Sequence, residues 1–452
     1  MKIDNDVING IPLVDAWHNH WLWLFSLYMM RGVPYVVLFM TSTVFFSQLG
    51  IDNSDIVVAN SWLILPFIFR PFLGRFVLSF ESKRYWILLC QFVIGSSLIG
   101  IAMSIPNPHS YGLSLSFLFV IAVVASFHDI AIERFYKRSA NYRRRSAFMG
   151  VRTIAYLSSI IIAFTLPLVA IGNLEVITRL VRSSWITIFY SLGVFSLLLC
   201  LYHYFVIPEA YVKAQLPINI HLTKIWIIDV KNMVRARHDY MHQLLFLLLF
   251  LLPEMMFLRI ITSFLFDTGS SGGLGFSPQE VAFIQGSLGF VGLTLGAVFG
   301  FLKVRKHGVI ALKWSMVLAL VLPKLCFVYL SFSFNSSMVI VSLCVLLDHL
   351  CTGYAIIIYA LMLLYLTHGK HPTFTYSVGA SFLGLSFLIS SFCVGLLIEY
   401  FSYRQVFTFI FLMGGISLFC MKILPITEEL NSKLKQFTKL RRIEVFNEER
   451  IS

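Results

Sequence analysis

The 452-residue chain is far more apolar than proteins that fold in water. Hydrophobic residues make up 58% of it and charged residues only 13%, and its mean hydropathy is +0.82. A soluble globule cannot bury that share of apolar side chains, so the composition predicts an all-α polytopic membrane protein. The net charge of +13 could indicate nucleic-acid binding, but no soluble domain offers a basic face. We therefore exclude nucleic acid as a partner.

Apolar runs recur along the chain at the length of about 20 residues that a helix needs to cross the hydrocarbon core of a membrane. We predict twelve membrane helices at 17–47, 55–80, 85–104, 112–138, 146–171, 184–207, 242–266, 278–302, 309–331, 337–367, 373–398 and 404–426.

Positive charge is distributed unevenly between the predicted loops. The loops on the side of the two termini contain most of the lysines and arginines, including the run 143–145, whereas the opposite loops contain only Arg179, Arg182 and Arg404. Loops rich in Lys and Arg remain in the cytoplasm, so we predict that both termini are cytoplasmic. The 143–145 run is also expected to contact anionic membrane lipids.

The longest polar break between predicted helices, 208–241, lies in the middle of the chain. It separates an N-terminal six-helix bundle (1–207) from a C-terminal one (242–426), and a polar tail follows at 427–452. This arrangement is typical of two pseudo-symmetric bundles with a small-molecule site between them. Part of the break, 218–233, fits either an amphipathic helix on the inner leaflet or a solvated linker.

Glycine and proline interrupt the first two predicted helices, at RGVP (31–34) and LPFIFRPFLGR (65–75). Such interruptions occur where protein or a water-filled cavity satisfies the freed backbone groups. In the eighth predicted helix, Gly289, Gly292 and Gly296 form a stripe that allows another helix to approach closely. The stripe is either simple packing or a gating seam that slides during transport.

Two carboxylates lie in the fourth predicted helix. Asp129 and Glu133 are four residues apart and share one helix face, and Asp129 lies within the membrane. A carboxylate at that depth is neutralised by a proton, paired with a cation or placed in a wet cavity. Candidate partners are Arg134, Arg152, and Arg70 or Arg75. The pair is therefore either a proton- or solute-binding site or part of a fixed charge network.

Residue patterns of enzymes and metal proteins are not evident in the sequence. The seven cysteines fall inside predicted helices without CxxC spacing, and no set of metal or cofactor ligands stands out. No nucleophile, base and oxyanion pocket can be assembled. We predict no enzymatic activity, no metal and no cofactor.

Several segments are similar to those of a known family: GVPYVV, SWLILPFIFRP, HDIAIERFY, FMGVRTIAYL and, in the second half, the glycine-rich FLFDTGSSGGLGFSPQEVAFIQGSLGF. They resemble the AmpG-type muropeptide permeases of the major facilitator superfamily, most closely the branch common in Bacteroidetes. The resemblance covers nearly the whole chain from about residue 28 to 426.

This resemblance implies a major facilitator fold in a bacterial inner (cytoplasmic) membrane. It also implies proton-coupled import of a small solute, either a cell-wall muropeptide or a related anionic glycopeptide. The proton-coupling positions that it implies are Asp129, Glu133, Glu254 and Asp348.

The resemblance also points to gating positions at the inner end of the second helix, where this chain departs from the family. Relatives have a Ser-Pro pair and an Asp in this region, whereas this chain has Arg75. Lys83 and Arg84 follow in the next loop. Lys324 replaces a neutral polar residue of the family. These departures add positive charge to the transport pathway.

Five cations within the predicted helices are candidates for binding an anionic solute: Arg31, Arg70, Arg152, Arg259 and Lys324. Such cations form charge-assisted hydrogen bonds to carboxylates and phosphates. Alternatively, they neutralise the buried acids. Two further functions stay open, namely import of another polar solute such as a siderophore or acidic peptide, and a sensor that keeps the fold without transporting. We expect a monomer.

Overall fold

The computed structural model describes residues 20–78, 83–139, 149–207, 240–333, 337–366 and 372–424, and the isolated positions 228, 426, 428, 431, 432 and 434. The predicted central loop and polar tail fall almost wholly outside these ranges, as does the run 143–145. The predictions made for them stay predictions.

Within the described ranges, twelve helices are long and apolar enough to cross a membrane. They are α1 (Trp23–Gln48), α2 (Asn53–Gly74), α3 (Arg84–Ser104), α4 (Ser110–Glu133), α5 (Val151–Thr178), α6 (Val181–Val206), α7 (Tyr240–Phe266), α8 (Pro278–His307), α9 (Val309–Phe332), α10 (Met338–Tyr365), α11 (Thr375–Tyr400) and α12 (Tyr403–Ile423). The predicted twelve-helix, all-α fold is confirmed.

One helix extends well beyond its predicted end. The apolar run of α5 was predicted to stop at 171, but the helix continues to Thr178. Its last turns contain Gly172, Asn173 and Glu175, which interrupt the apolar pattern without breaking the helix. The helix ends where Arg179 adopts a left-handed conformation with φ of 56°.

Several membrane helices change geometry near their middle. Short π-helical segments occur in α1, α5 and α8, at Val37–Thr41, Ile161–Thr165 and Ala282–Leu288. Breaks occur in α2, α7 and α9, next to Pro66, Pro253 and Pro323. Proline cannot donate the backbone hydrogen bond that a continuous helix needs, and π-turns leave carbonyl groups available to other partners.

The two halves of the chain repeat the same helix contacts. In the first half α1 packs on α5, and α3 packs on α4 and α6; in the second half α7 packs on α11, and α9 packs on α10 and α12. Each contact recurs six helices later, as expected for two pseudo-symmetric bundles. The halves meet where α2 contacts α11, α5 contacts α8, and α1 contacts α7.

Apolar packing joins the halves at one end of the molecule. A single core cluster includes Phe46 and Ile56 of the first half together with Phe264 and Tyr403 of the second. These residues lie near the α1–α2, α7–α8 and α11–α12 loops, at the end that we call the predicted outer face. Towards the opposite end, each half has a separate core. The structure is therefore closed at the predicted outer face.

Candidate functional site

Asp129 of α4 lies among arginines from the neighbouring helices. Arg31 Nε bonds to its Oδ1, Arg70 Nη2 lies 2.5 Å from its Oδ2, and the Tyr35 hydroxyl donates to the same Oδ2 at 2.8 Å. The Asp129 side chain is only 2% exposed. Both of its carboxylate oxygens are thus held by cations of α1 and α2.

Glu133, one turn along α4, extends this cluster towards the predicted inner face. Its Oε2 lies 3.0 Å from Arg152 Nη2 and 3.5 Å from Arg31 Nη1. The Arg152 and Arg31 guanidinium groups lie 4.5 and 5.5 Å from the centre of the Tyr28 ring. Three of the candidate solute-binding cations, Arg31, Arg70 and Arg152, are therefore bound to the two carboxylates of α4.

A second buried cluster lies in the C-terminal half, where one lysine meets two acids. Lys324 Nζ donates to Asp348 Oδ1 at 2.6 Å. It also lies 2.7 Å from Glu254 Oε2, an ion-pair contact whose angles do not suit a hydrogen bond. The Phe257 ring centre is 3.7 Å from the ammonium group. We call Glu254, Lys324 and Asp348 the acid–lysine triad.

Two oxygens of the triad have no hydrogen-bond donor among the described residues, namely Glu254 Oε2, which lies 2.7 Å from the ammonium group, and Asp348 Oδ2. The nearest ring nitrogen, His349 Nδ1, is 3.8 Å from Asp348 Oδ2 and lies 3.0 Å from the Val345 carbonyl, to which it can donate. The Asp348 side chain is only 1% exposed. A buried carboxylate oxygen without a donor is costly, because it has lost its hydrogen bonds to water.

Helix breaks place two members of the triad. Pro253 starts the second segment of α7, so Glu254 occupies its first turn. Pro323 precedes the second segment of α9, which begins at Lys324. The positive end of the α7 segment favours an acid in its first turn. Both side chains reach α10 near the middle of the membrane helices.

Arg259 differs from the other four candidate cations, because no acid of the described residues forms an ion pair with it. Its Nη2 donates to the Phe39 carbonyl at 3.2 Å. The guanidinium carbon lies 4.3 Å from the Phe387 ring centre and 5.4 Å from that of Phe39. Its Nε has no acceptor among the described residues. Since Phe39 belongs to α1 and Phe387 to α11, Arg259 of α7 lies where the two halves meet.

At the predicted outer face, a polar contact joins the halves. Asp267, just beyond α7, accepts from Asn53 Nδ2 at 2.7 Å and from the Tyr403 hydroxyl at 2.6 Å. Burial raises the pKa of Asp267 above its ordinary value, and the two hydrogen bonds only partly offset this. The sequence analysis missed this contact, because polar residues at the ends of membrane helices are too common to single out.

A buried polar chain in the N-terminal half was also missed. Gln91 lies 3.1 Å from His128 and 2.9 Å from His203, and His203 lies 2.9 Å from Ser26. The four side chains come from α3, α4, α6 and α1, so they tie this bundle together. No spacing in the sequence links these positions.

The predicted gating residues whose side chains the structure describes do not converge on one place. The side chains of Arg75 and Lys83 lie outside the described residues. Arg84 Nη2 donates to the Tyr204 carbonyl, a contact between α3 and α6 within one half. Gly289, Gly292 and Gly296 pack on α10 within the other half; a Cβ atom at Gly292 would lie 2.9 Å from the Leu346 carbonyl. The glycine stripe thus serves close packing here, and sliding stays a prediction.

Comparison with known proteins identifies the fold. No protein-family model matches the chain. A protein of Rickettsia conorii, named "Putative transporter AmpG 4", is 23% identical over 296 residues, 63% of this chain and 67% of its own length. The structure of a D-xylose-proton symporter matches with a TM-score of 0.68 and 12% identity, over 90% of this chain and 97% of its own.

A mutant of the nucleoside transporter NupG matches with a TM-score of 0.64 and 16% identity, over 90% of this chain and 100% of its own. The chain has the major facilitator fold. Folds of this kind bind solutes between their two halves, near the middle of the membrane. In this chain Arg259 lies between the halves, whereas the acid–lysine triad lies within the C-terminal half.

Proposed function

We propose that this chain is a secondary transporter that imports a cell-wall muropeptide, or a related anionic glycopeptide, together with protons. It would act in a bacterial inner membrane with both termini in the cytoplasm. The fold and the similarity to an AmpG-named protein support the transporter and its solute class. The acid–lysine triad is the observation that supports proton coupling.

The charges of the triad do not balance without a proton. Two carboxylates face one ammonium group, and all three side chains are at most 3% exposed. An unpaired charge in the interior of a membrane costs about 2.5–3.5 kcal/mol on insertion scales. One bound proton removes this charge, and Glu254 Oε2 and Asp348 Oδ2 are the triad oxygens without a hydrogen-bond donor among the described residues. The triad is therefore suited to take up and release a single proton.

Asp129 is less suited to that task in this conformation. Cations lie against both of its oxygens, so a proton would have to displace an arginine. We assign the cluster of Asp129 and Glu133 a different role, as counter-ions that hold Arg31, Arg70 and Arg152 between α1, α2, α4 and α5.

Uptake by proteoliposomes tests this function. With an inward proton gradient, the wild type should accumulate a labelled anhydro-muropeptide, and a protonophore should abolish the accumulation. The triple variant Lys324→Met/Glu254→Gln/Asp348→Asn, which leaves no buried charge of the triad unpaired, should equilibrate the solute without accumulating it. Glu280→Gln is the matched control, because Glu280 only caps the start of α8.

Two results would contradict the proposal in different ways. Full accumulation by the triple variant would remove the triad from proton coupling. Absence of muropeptide uptake by a folded wild type, whatever the gradient, would remove the assigned solute.

A further inference from the structure

Arg259 is a buried cation without a counter-ion in the part of the chain that the structure describes. It is 5% exposed, and its only hydrogen-bond partner among the described residues is the Phe39 carbonyl. Every other candidate solute-binding cation is bound to a carboxylate. Removing a guanidinium from water is costly unless its charge and its N–H donors find partners. At least one N–H donor of Arg259, at Nε, therefore has no acceptor among the described residues.

The surroundings of Arg259 leave these donors available to a ligand. The Phe387 ring, 4.3 Å from the guanidinium carbon, provides a cation–π contact. Such a ring occupies the face of the guanidinium group, whereas its N–H donors point outwards in its plane. The Phe39 carbonyl, in the π-helical segment Val37–Thr41, already accepts from the Thr43 hydroxyl at 3.3 Å.

Another buried polar group lies on the same face of α7. Ser263 follows Arg259 by four residues, which places the two side chains one above the other on a helix. Its hydroxyl has no hydrogen-bond partner among the described residues, and the residue is 2% exposed. Glu254, five residues before Arg259, points towards α9 and α10 instead. The face of Arg259 and Ser263 is therefore separate from the triad.

We infer that Arg259 is the anion-binding residue of the solute site, and that it takes a carboxylate attached to a flat or apolar group. The planar carboxylate fits the guanidinium edge with two parallel hydrogen bonds. The Phe39 and Phe387 rings contact the apolar part. Separation of α1 and α11 from α7 would open this place to the ligand. The inference depends on the proposed transport function in one respect only, namely that the solute passes between the two halves.

A small probe tests the site without muropeptide. Fluorine NMR would measure the binding of 4-fluorobenzoate and of its uncharged analogue 4-fluorobenzamide to the full-length protein in lipid nanodiscs, at constant ionic strength. We expect the wild type to prefer the carboxylate, and Arg259→Gln to weaken carboxylate binding by about tenfold or more while amide binding is unchanged. Arg404→Gln is the matched control, since Arg404 also lies over a phenyl ring, 4.0 Å from the centre of Phe332, away from the region between the halves.

If Arg259→Gln does not yield folded protein, Arg259→Lys provides the same test, because it keeps the charge but loses the paired donors. It should weaken the carboxylate several-fold and leave the amide unchanged. Equal binding of the two probes by the wild type, or an unchanged preference in Arg259→Gln or Arg259→Lys, would overturn the inference and leave Arg259 as a contact that closes α7 onto α1. Carboxylate preference without muropeptide uptake would support the anion site and contradict only the proposed solute.

Discussion

Replacing Lys324 with methionine should destabilise the folded protein far more than removing either of its acidic partners. The Lys324→Met variant leaves Glu254 and Asp348 without the ammonium group that lies 2.7 and 2.6 Å from them. Breaking a buried ion pair in this way costs about 3–5 kcal/mol. In contrast, Glu254→Gln or Asp348→Asn leaves one acid for one lysine, so each should lower the free energy of unfolding by about 1 kcal/mol or less.

Unfolding of the purified protein in mixed micelles, followed by circular dichroism as the fraction of denaturing detergent rises, measures these differences. Lys313→Met is the matched control, because Lys313 lies in the same helix α9, next to the Trp314 ring rather than an acid. The triple variant Lys324→Met/Glu254→Gln/Asp348→Asn should recover most of the lost stability. If Lys324→Met is as stable as Lys313→Met, or the triple variant as unstable as Lys324→Met, the ammonium group does not neutralise the acids.

Three further predictions concern the predicted outer face, the glycine stripe and the topology. Burial raises the pKa of Asp267 in the outer-closed state. Closure of the outer face should therefore strengthen as the pH falls from that raised pKa towards the ordinary value, and weaken as the pH rises through the raised pKa. Asp267→Asn should abolish this pH dependence, which is measured as the distance between fluorescent labels on the two halves. Gly296→Ala should destabilise the protein by about 1–3 kcal/mol in thermal unfolding, since its methyl group would collide with α10, whereas Gly415→Ala, with open space around it, should not. In a variant without native cysteines, a cysteine at Ser271 should react with an impermeant reagent in cells with a permeabilised outer membrane, and one at Lys306 should not; the reverse pattern would invert the topology.

The helices could be predicted from the sequence because the signal is local. A membrane helix needs a predominantly apolar stretch of about 20 residues, and each of the twelve contains one. The last turns of α5 were not predicted, because Asn173 and Glu175 lie beyond its apolar run, although both residues are compatible with a helix. Helix ends depend on capping and packing as well as on polarity.

The partners of the buried charges could be predicted only in part. Arg70 and Arg152 were candidate partners of the α4 acids, and both contact them. The convergence of Glu254, Lys324 and Asp348 could not be derived, because it depends on how α7, α9 and α10 turn their faces after proline breaks. A helix advances about 100° per residue, so one displaced residue changes which neighbour a side chain meets.

The isolation of Arg259 could not be predicted either. It lies in a helix that also contains an acid, and sequence spacing alone would allow the two to be neutralised together. Five residues separate them, so on a regular helix they point about 140° apart. In the structure Glu254 contacts Lys324, whereas Arg259 contacts Phe39 of the other half.

Infrared difference spectroscopy of the purified protein in lipid, recorded as the pH is changed, tests most directly whether the acid–lysine triad holds the coupling proton. We predict a protonated-carboxyl band that is lost in the triple variant Lys324→Met/Glu254→Gln/Asp348→Asn and retained in Asp129→Asn and Asp267→Asn. A band that persists unchanged in the triple variant, or a wild type that shows none at any pH at which it is folded, would contradict proton binding by the triad.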